Sequence, residues 1–296
     1  MRKAIRTVHY ALGIHGLALL RTYAHDEPLA QTIARKLADF AAAMERHPGN
    51  APVAINETDV REGYAAWSAT YDLPGNPLVS VEEPVVHAMI DTIAPGRALD
   101  AGCGTGRHTK YLAGKGFDTT GIDCSPEMLE LARAKVPEVR LELGDLTAIP
   151  FATGSFDLVL CALALDHTDD LRTPIAELAR VVRPDGRVIV STLHPIGGSQ
   201  LGGGAFYRDA DGRRGMIRGP AQTVSDYIMA AVDAGLEIRQ CVEPVWGERE
   251  IAMLEGKRRQ RAELTSSALD PEILRIAILD SPCALVLNLA KPAILR

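Results

Sequence analysis

Residues 98–109, ALDAGCGTGRHT, constrain this chain more than any other stretch. Arg97 to Ala101 read as a short buried strand. Gly102, Gly104 and Gly106 follow at alternating positions, ahead of a polar run able to open a helix. A strand that ends in glycines lets its backbone approach a ligand, because no side chain stands in the way. The helix that follows aims free N–H groups at whatever lies there. Asp123 closes a second apolar strand, TTGID, 19 positions after Gly104. That spacing suits a carboxylate accepting hydrogen bonds from the two hydroxyls of a ribose. The glycine spacing separates three nucleotide motifs. The dinucleotide fingerprint is G-x-G-x-x-G, whereas the run here is G-x-G-x-G preceded by Asp100, and the Gly-Lys-Ser/Thr of a P-loop is absent.

At 296 residues the chain can bury one large core plus an appendage. Residues 3–24 and 27–46 carry two helical patterns. In the second, Leu29, Ile33, Leu37, Phe40 and Met44 form one apolar stripe, and Asp26, Glu27 and Pro28 are start signals. HPGNAPVAIN (47–56) reads as a linker. Residues 1–50 are therefore expected to be a helical hairpin whose apolar faces need a partner: the main domain, a second subunit in a homodimer, or a pocket that it roofs. MRKAIR followed by ALGIHGLALL has the look of a leader peptide, but His9 and His15 punctuate it. An apolar run of about ten is too short to span a bilayer. The reading is a cytosolic helix and no membrane insertion.

From residue 57 to 296 the pattern is a strand–helix alternation, that of a doubly wound α/β domain. Helices are expected at 61–72 and 81–93, and strands near 97–101, 118–123, 138–143, 157–162 and 186–193. A glycine-rich excursion (197–219) comes next, followed by a helix at 223–236 that stops at Gly235. Strands at 237–243 and 283–292 complete the pattern. The net charge of −6 disfavours a nucleic-acid acceptor. Cys103, Cys124, Cys161, Cys241 and Cys283 are scattered without a C-x-x-C pair, which reads as reduced thiols in a cytoplasmic protein, with no metal spacing.

The D-x-G-x-G-x-G run from Asp100 to Gly106 resembles motif I of the class I S-adenosylmethionine-dependent methyltransferases. From there to residue 195 the chain is similar to the UbiE-like (methyltransferase type 11) small-molecule members. The matching segments are SPEMLELAR, LELGDLTAIPF, SFDLVLCALALDH and LARVVRPDGRVIVSTLHP. The resemblance implies a seven-stranded Rossmann-like sheet whose last strand runs antiparallel beside the fifth. It also implies that the loop of Gly102, Gly104 and Gly106 cradles the methionine part of S-adenosyl-L-methionine, with Asp100 toward its ammonium. Asp123 would hold the ribose and Met128 would pack on the adenine. Asp145 would accept from the adenine amino group while the Leu146 N–H donates to the ring. Cys124 and Ala162 fall in the same cofactor wall. Upstream, REGYAAWSATYD resembles a family segment in which Tyr64 closes over the cofactor with Tyr71 nearby. The expected product is S-adenosyl-L-homocysteine.

A sulfonium methyl is already activated, so its transfer is one in-line displacement. Aligning the acceptor is worth roughly 7–11 kcal/mol, and a general base adds about 10²–10⁴ when a hydroxyl must lose its proton. His167, after the fourth strand, and His194, after the fifth, are the two candidate bases, each also readable as a structural strand-end histidine. His108, at the start of the motif I helix, is expected to face the sheet or the cofactor. Acceptor recognition is expected from the hairpin and from insertions at 197–222 and 247–282. Within these, Lys257, Arg258, Arg259 and Arg261 are a candidate anion site or a solvated face, and Trp246 and Tyr207 are candidate platforms. The expected function is methyl transfer to a small organic acceptor at a hydroxyl oxygen. The alternatives are cyclase-like chemistry on the bound cofactor and a cofactor-binding protein without turnover. The glycine spacing disfavours a nicotinamide dehydrogenase.

Overall fold

The computed structural model describes residues 2–45, 51–200, 204–220, 222–260 and 270–293. Its first part contains β1 (Arg2–Ile5), α1 (Thr7–Thr22), α2 (Glu27–Glu45), β2 (Val53–Thr58), α3 (Val60–Tyr71) and α4 (Pro77–Ile90). The alternating part follows: β3 (Arg97–Ala101), α5 (Arg107–Gly114), β4 (Asp118–Asp123), α6 (Pro126–Lys135), β5 (Arg140–Leu143), β6 (Phe156–Ala162), α7 (Arg172–Val181) and β7 (Val182–Leu193). The remainder is α8 (Pro195–Gln200), β8 (Gly204–Arg208), β9 (Arg214–Arg218), α9 (Val224–Asp233), β10 (Glu237–Val242), α10 (Glu248–Gln260), α11 (Pro271–Ile278) and β11 (Ala284–Ala290).

Seven strands form the central sheet in the order β10-β11-β7-β6-β3-β4-β5. The five strands from β7 to β5 are parallel, and β11 runs antiparallel to both β7 and β10. Helices cover both faces, so the central strands are apolar on both sides. Leu99, Val159, Val188 and Leu287 face one way and join the cluster beneath α7 and α9. Their chain neighbours Ala98, Leu158, Ile189 and Val286 face the other way, onto Val86 and Ile90 of α4 and Leu112 of α5. Each fully buried Leu or Ile contributes about 1.5–3 kcal/mol. Chain order reverses between β3 and β6, and there the crevice at the strands' carboxyl ends opens.

Local signals set the helix starts. Asp59 accepts from Glu62 N at α3, Asn76 precedes Pro77 at α4, Ser125 accepts from Met128 N at α6, and Thr223 with Asp226 closes a capping box at α9. Helix α5 differs: it begins at Gly106 with no side-chain cap.

A second sheet, β1-β2-β9-β8, lies outside the first. Here the structure departs from the sequence expectations. Part of the 47–56 linker is strand β2, residues 2–5 are strand rather than helix, and the glycine-rich excursion holds β8 and β9. These strands exist because they pair with one another: β8 and β9 form an antiparallel hairpin, and β9 pairs in parallel with β2, which lies far earlier in the chain and also pairs with β1. Helix α3 rests on this sheet: a Cβ at Gly63 would strike the Ile217 side chain, Thr70 Oγ1 donates to Arg208 O at 2.9 Å, and the Trp67 and Tyr207 rings stack at 5.9 Å. The helical hairpin is not the roof. Ala11, Ile14, Ala18 and Ile33 pack instead against Trp246, Ile251 and the apolar face of α11. Among the described residues no helix is long and apolar enough to cross a membrane.

Candidate active site

At the carboxyl ends of β3, β4 and β6 lies a cavity of about 280 Å³. The glycine loop forms its floor. Gly102 N and Cys103 N both donate to Ile122 O at 2.8 Å, which lashes the loop to β4. Gly102 and Gly106 have φ of +77° and +83°, where an L side chain is strained, and a Cβ on Gly102 would stand 2.6 Å from that of Ala164. At Gly104 a Cβ would meet nothing within 4 Å. A side chain there would occupy space the loop leaves open. Gly102 and Gly104 line the cavity, whereas Gly106 serves as the left-handed residue from which α5 starts.

Three carboxylates from three successive strand ends face this space. Asp100, almost fully buried, accepts from Thr109 Oγ1 at 2.6 Å; burial raises its pKa, with His108 and Thr109 opposing. Asp123 accepts from Gly104 N at 2.8 Å and from Ser125 N at 2.9 Å, one on each oxygen. Burial also raises its pKa, against those backbone bonds. Each oxygen keeps a lone pair for another donor. Asp145 is exposed, and hydrogen bonds from Thr147 lower its pKa. Cys124, Met128, Leu146 and Ala162 complete the wall. Burial pushes the Cys124 thiol up to about 11, so it is an unreactive lining group.

Beneath the loop sits a charge cluster that no spacing in the sequence announced. Glu82 on α4 is fully buried and accepts from Arg107 Nη1 at 3.0 Å, Ser191 Oγ at 2.6 Å and His108 Nε2 at 3.3 Å. Burial alone would raise its pKa; the hydrogen bond and charge of His108, then Arg107 and Ser191, outweigh it and hold the carboxyl at about 2. Arg107 and His108 both line the cavity. At the loop's other side Lys135 Nζ, Asp72 and Thr105 Oγ1 close a ring of bonds of 2.6, 2.8 and 2.9 Å, tying the end of α3 to the glycine loop.

The roof is α3. Val60, Tyr64 and Tyr71 reach the cavity, and burial pushes the Tyr71 phenol up to about 12. The Tyr64 hydroxyl meets His167 Nε2 at 3.0 Å, and His167 lies in the cavity wall in a short helical turn after β6. The structure does not bring His194 there. It is buried outside the lining, with Nε2 on Glu243 at 2.8 Å and Nδ1 accepting from Ile196 N at 3.2 Å, so both nitrogens anchor the start of α8. The other candidate platforms also lie elsewhere. Trp246 is in the hairpin core, and Tyr207 is buried against Trp67. The side chains of Lys257, Arg258, Arg259 and Arg261 lie outside the described residues.

Residues 99–190 match a family model described as a methyltransferase domain. The malonyl-[acyl-carrier protein] O-methyltransferase of Serratia marcescens is 30% identical over 161 residues, 54% of this chain and 62% of that protein. The demethylmenaquinone methyltransferase of Renibacterium salmoninarum is 36% identical over 103 residues, 34% of this chain and 44% of that protein. The chain thus spans less than two thirds of either relative. Among solved structures, the chain in complex with the Trm112 methyltransferase activator of Haloferax volcanii shares the fold, with a TM-score of 0.60 at 19% identity, over 80% of this chain and all of that one. Residues 99–190 thus carry a methyltransferase domain, on a seven-stranded sheet whose fold that solved structure shares.

Proposed function

We propose that this chain transfers the methyl group of S-adenosylmethionine to a small organic acceptor, at a hydroxyl oxygen. One observation carries the reading: a single cavity joins the glycine loop, the Asp123 carboxylate, the Asp145–Leu146 loop and the Tyr64–His167 pair. The residues fit the cofactor. Gly104 leaves its Cβ space empty, α5 has no side-chain cap, and Asp123 is oriented by two backbone donors with lone pairs to spare. Bound there, the cofactor supplies an activated methyl on a sulfonium.

The chain's own residues bind and align. Asp100 faces the ammonium, Asp123 accepts from the ribose hydroxyls, and Asp145 with the Leu146 N–H reads the base edge. Tyr64 and Tyr71 close from above and exclude water. His167, hydrogen-bonded to the Tyr64 hydroxyl, takes up the proton that the acceptor loses. The printed name of the Serratia relative supports oxygen as the methylated atom. The net charge of −6 favours a small molecule over a nucleic acid.

The test is calorimetric titration of the full chain with S-adenosylmethionine, followed by mass spectrometry of mixtures with hydroxyl acceptors. Binding, with S-adenosylhomocysteine released only when acceptor is present, is expected. Absence of binding overturns the proposal. Binding with a rearranged acceptor and no S-adenosylhomocysteine would mark a cyclase instead.

A further inference from the structure

A chain of hydrogen bonds crosses from the roof through the cavity wall to the second sheet. The Tyr64 hydroxyl lies 3.0 Å from His167 Nε2, and His167 Nδ1 lies 3.1 Å from the carbonyl oxygen of Arg218 at the end of β9. A carbonyl oxygen only accepts, so Nδ1 carries the ring proton. The neutral ring then offers a lone pair on Nε2, and the Tyr64 hydroxyl donates into it. The Tyr64 oxygen keeps its own acceptor capacity for a third partner. Both side chains line the cavity beside Asp123 and Gly104.

We infer that Tyr64 and His167 form a proton relay for an acceptor whose reacting oxygen carries a proton, a phenol-like hydroxyl rather than a carboxylate. The inference rests on the methyl-transfer reading above. The acceptor hydroxyl donates to the Tyr64 oxygen. As the acceptor oxygen bonds to the methyl carbon, the carbon–sulfur bond breaks and its electron pair stays on sulfur. The acceptor's proton passes to the Tyr64 oxygen while the Tyr64 proton passes to His167 Nε2. The positive charge lost from sulfur reappears on the imidazolium, whose Nδ1–H stays on the Arg218 carbonyl. Tyr64 is the catalytic residue; His167 acts through it as a positioning residue and proton store.

Three features favour a neutral hydroxyl over a carboxylate. Asp100, Asp123 and Asp145 make the wall acidic. Arg107, the guanidinium in the wall, is already paired with Glu82 at 3.0 Å and Glu83 at 3.6 Å. Burial raises the Tyr64 phenol well above its ordinary pKa, with Tyr71, Asp166, Asp123 and Cys124 adding to it, so Tyr64 passes a proton on and does not rest as phenolate. Asp166, beside His167, is occupied by Thr192 Oγ1 and by Leu193 N at 2.8 Å.

Nitrogen-15 NMR of the full chain labelled at histidine, with S-adenosylhomocysteine present, reads the pair without turnover. His167 is expected as the Nδ1–H tautomer, and Tyr64→Phe is expected to move its Nε2 resonance. The probe acceptor is 4-nitrophenol, whose visible absorbance reports its ionisation. Bound to the wild-type complex it is expected to ionise at a lower pH than in solution. Tyr64→Phe abolishes that shift and weakens probe binding about fivefold, the worth of one hydrogen bond, while His167→Gln abolishes the shift and leaves probe binding near wild type. An Nε2–H ring, a probe that does not bind, or ionisation unchanged by either variant overturns the relay. Calorimetry of S-adenosylhomocysteine on the same samples separates this from failure of the methyl-transfer reading, which would appear as lost cofactor binding with the tautomer intact.

Discussion

Glu82→Gln tests the buried charge cluster under the glycine loop. The folded protein holds this carboxyl at about 2, against an ordinary 4.5. At about 1.4 kcal/mol per unit, ionised Glu82 contributes about 3 kcal/mol. Because the folded value is the lower one, that contribution is fully present above about pH 4.5 and is lost as pH falls toward 2. Glutamine keeps the shape but not the charge. Arg107 loses its acceptor Oε2 and is left with Glu83 at 3.6 Å, while the oxygen that His108 and Ser191 already share becomes neutral. Removing one partner of a buried pair costs about 3–5 kcal/mol, and at about 2 °C per kcal/mol for a chain of this length the melting temperature falls by about 6–10 °C. Urea denaturation of both proteins at pH 7 and pH 3 reads the difference. A large gap at pH 7 that narrows at pH 3 is expected. Equal stability at pH 7, or a gap that does not narrow in acid, would refute the assignment of a charged Glu82 held by its neighbours.

Asp123→Ala should weaken S-adenosylmethionine binding about a hundredfold or more in calorimetry, since each hydrogen bond to a charged acceptor is worth about 1.5–3 kcal/mol; wild-type affinity would move the ribose elsewhere. His194→Ala should cost about 1–3 kcal/mol in denaturant titrations, because Ile196 N loses its acceptor, yet leave cofactor affinity unchanged; weaker cofactor binding would put His194 back in the site. Gly215→Ala drives a methyl into the Tyr207 ring and should lower the thermal melt by an overpacking cost of about 1–3 kcal/mol; an unchanged melt would mean the second sheet does not seat that ring. Lys135→Met opens the bond ring with Asp72 and Thr105, whose charged members are 33% and 43% exposed, so its stability cost is only about 0.5–1 kcal/mol. The expected signature is instead faster cofactor release in stopped flow, and an unaltered rate would show that this ring does not hold the roof.

The wall of the cavity was legible because its signals are local. Glycines at 102, 104 and 106, and acids at the ends of β3 and β4 and after β5, follow from the spacing of one strand–turn–helix unit after another. The central strands were legible as apolar runs, and the antiparallel β11 from the family resemblance. Glu82 was not, since its neighbour Glu83 is half-buried while Glu82 is fully buried, and only the packing of α4 on β7 and α5 distinguishes them. The different surroundings of the two candidate histidines were not legible either. His167 and His194 both follow strands at the same sheet edge, and what separates them is the partner each meets, Tyr64 for one and Glu243 for the other.

The roof illustrates the deeper limit. Its strands lack strong patterns of their own, and they form because β2 and β9 supply each other's ladder partners. The same pairing places the Tyr64–His167 pair, because β9 ends at the Arg218 carbonyl that meets His167 Nδ1, while β2 leads directly into the helix that carries Tyr64. The other end of that helix is bound through Asp72 to Thr105 of the glycine loop. Tyr64 therefore stands on an element fastened at one end to the second sheet and at the other to the glycine loop. A shift in either anchor moves its hydroxyl relative to His167, so the glycine loop and the second sheet set the geometry of the pair together.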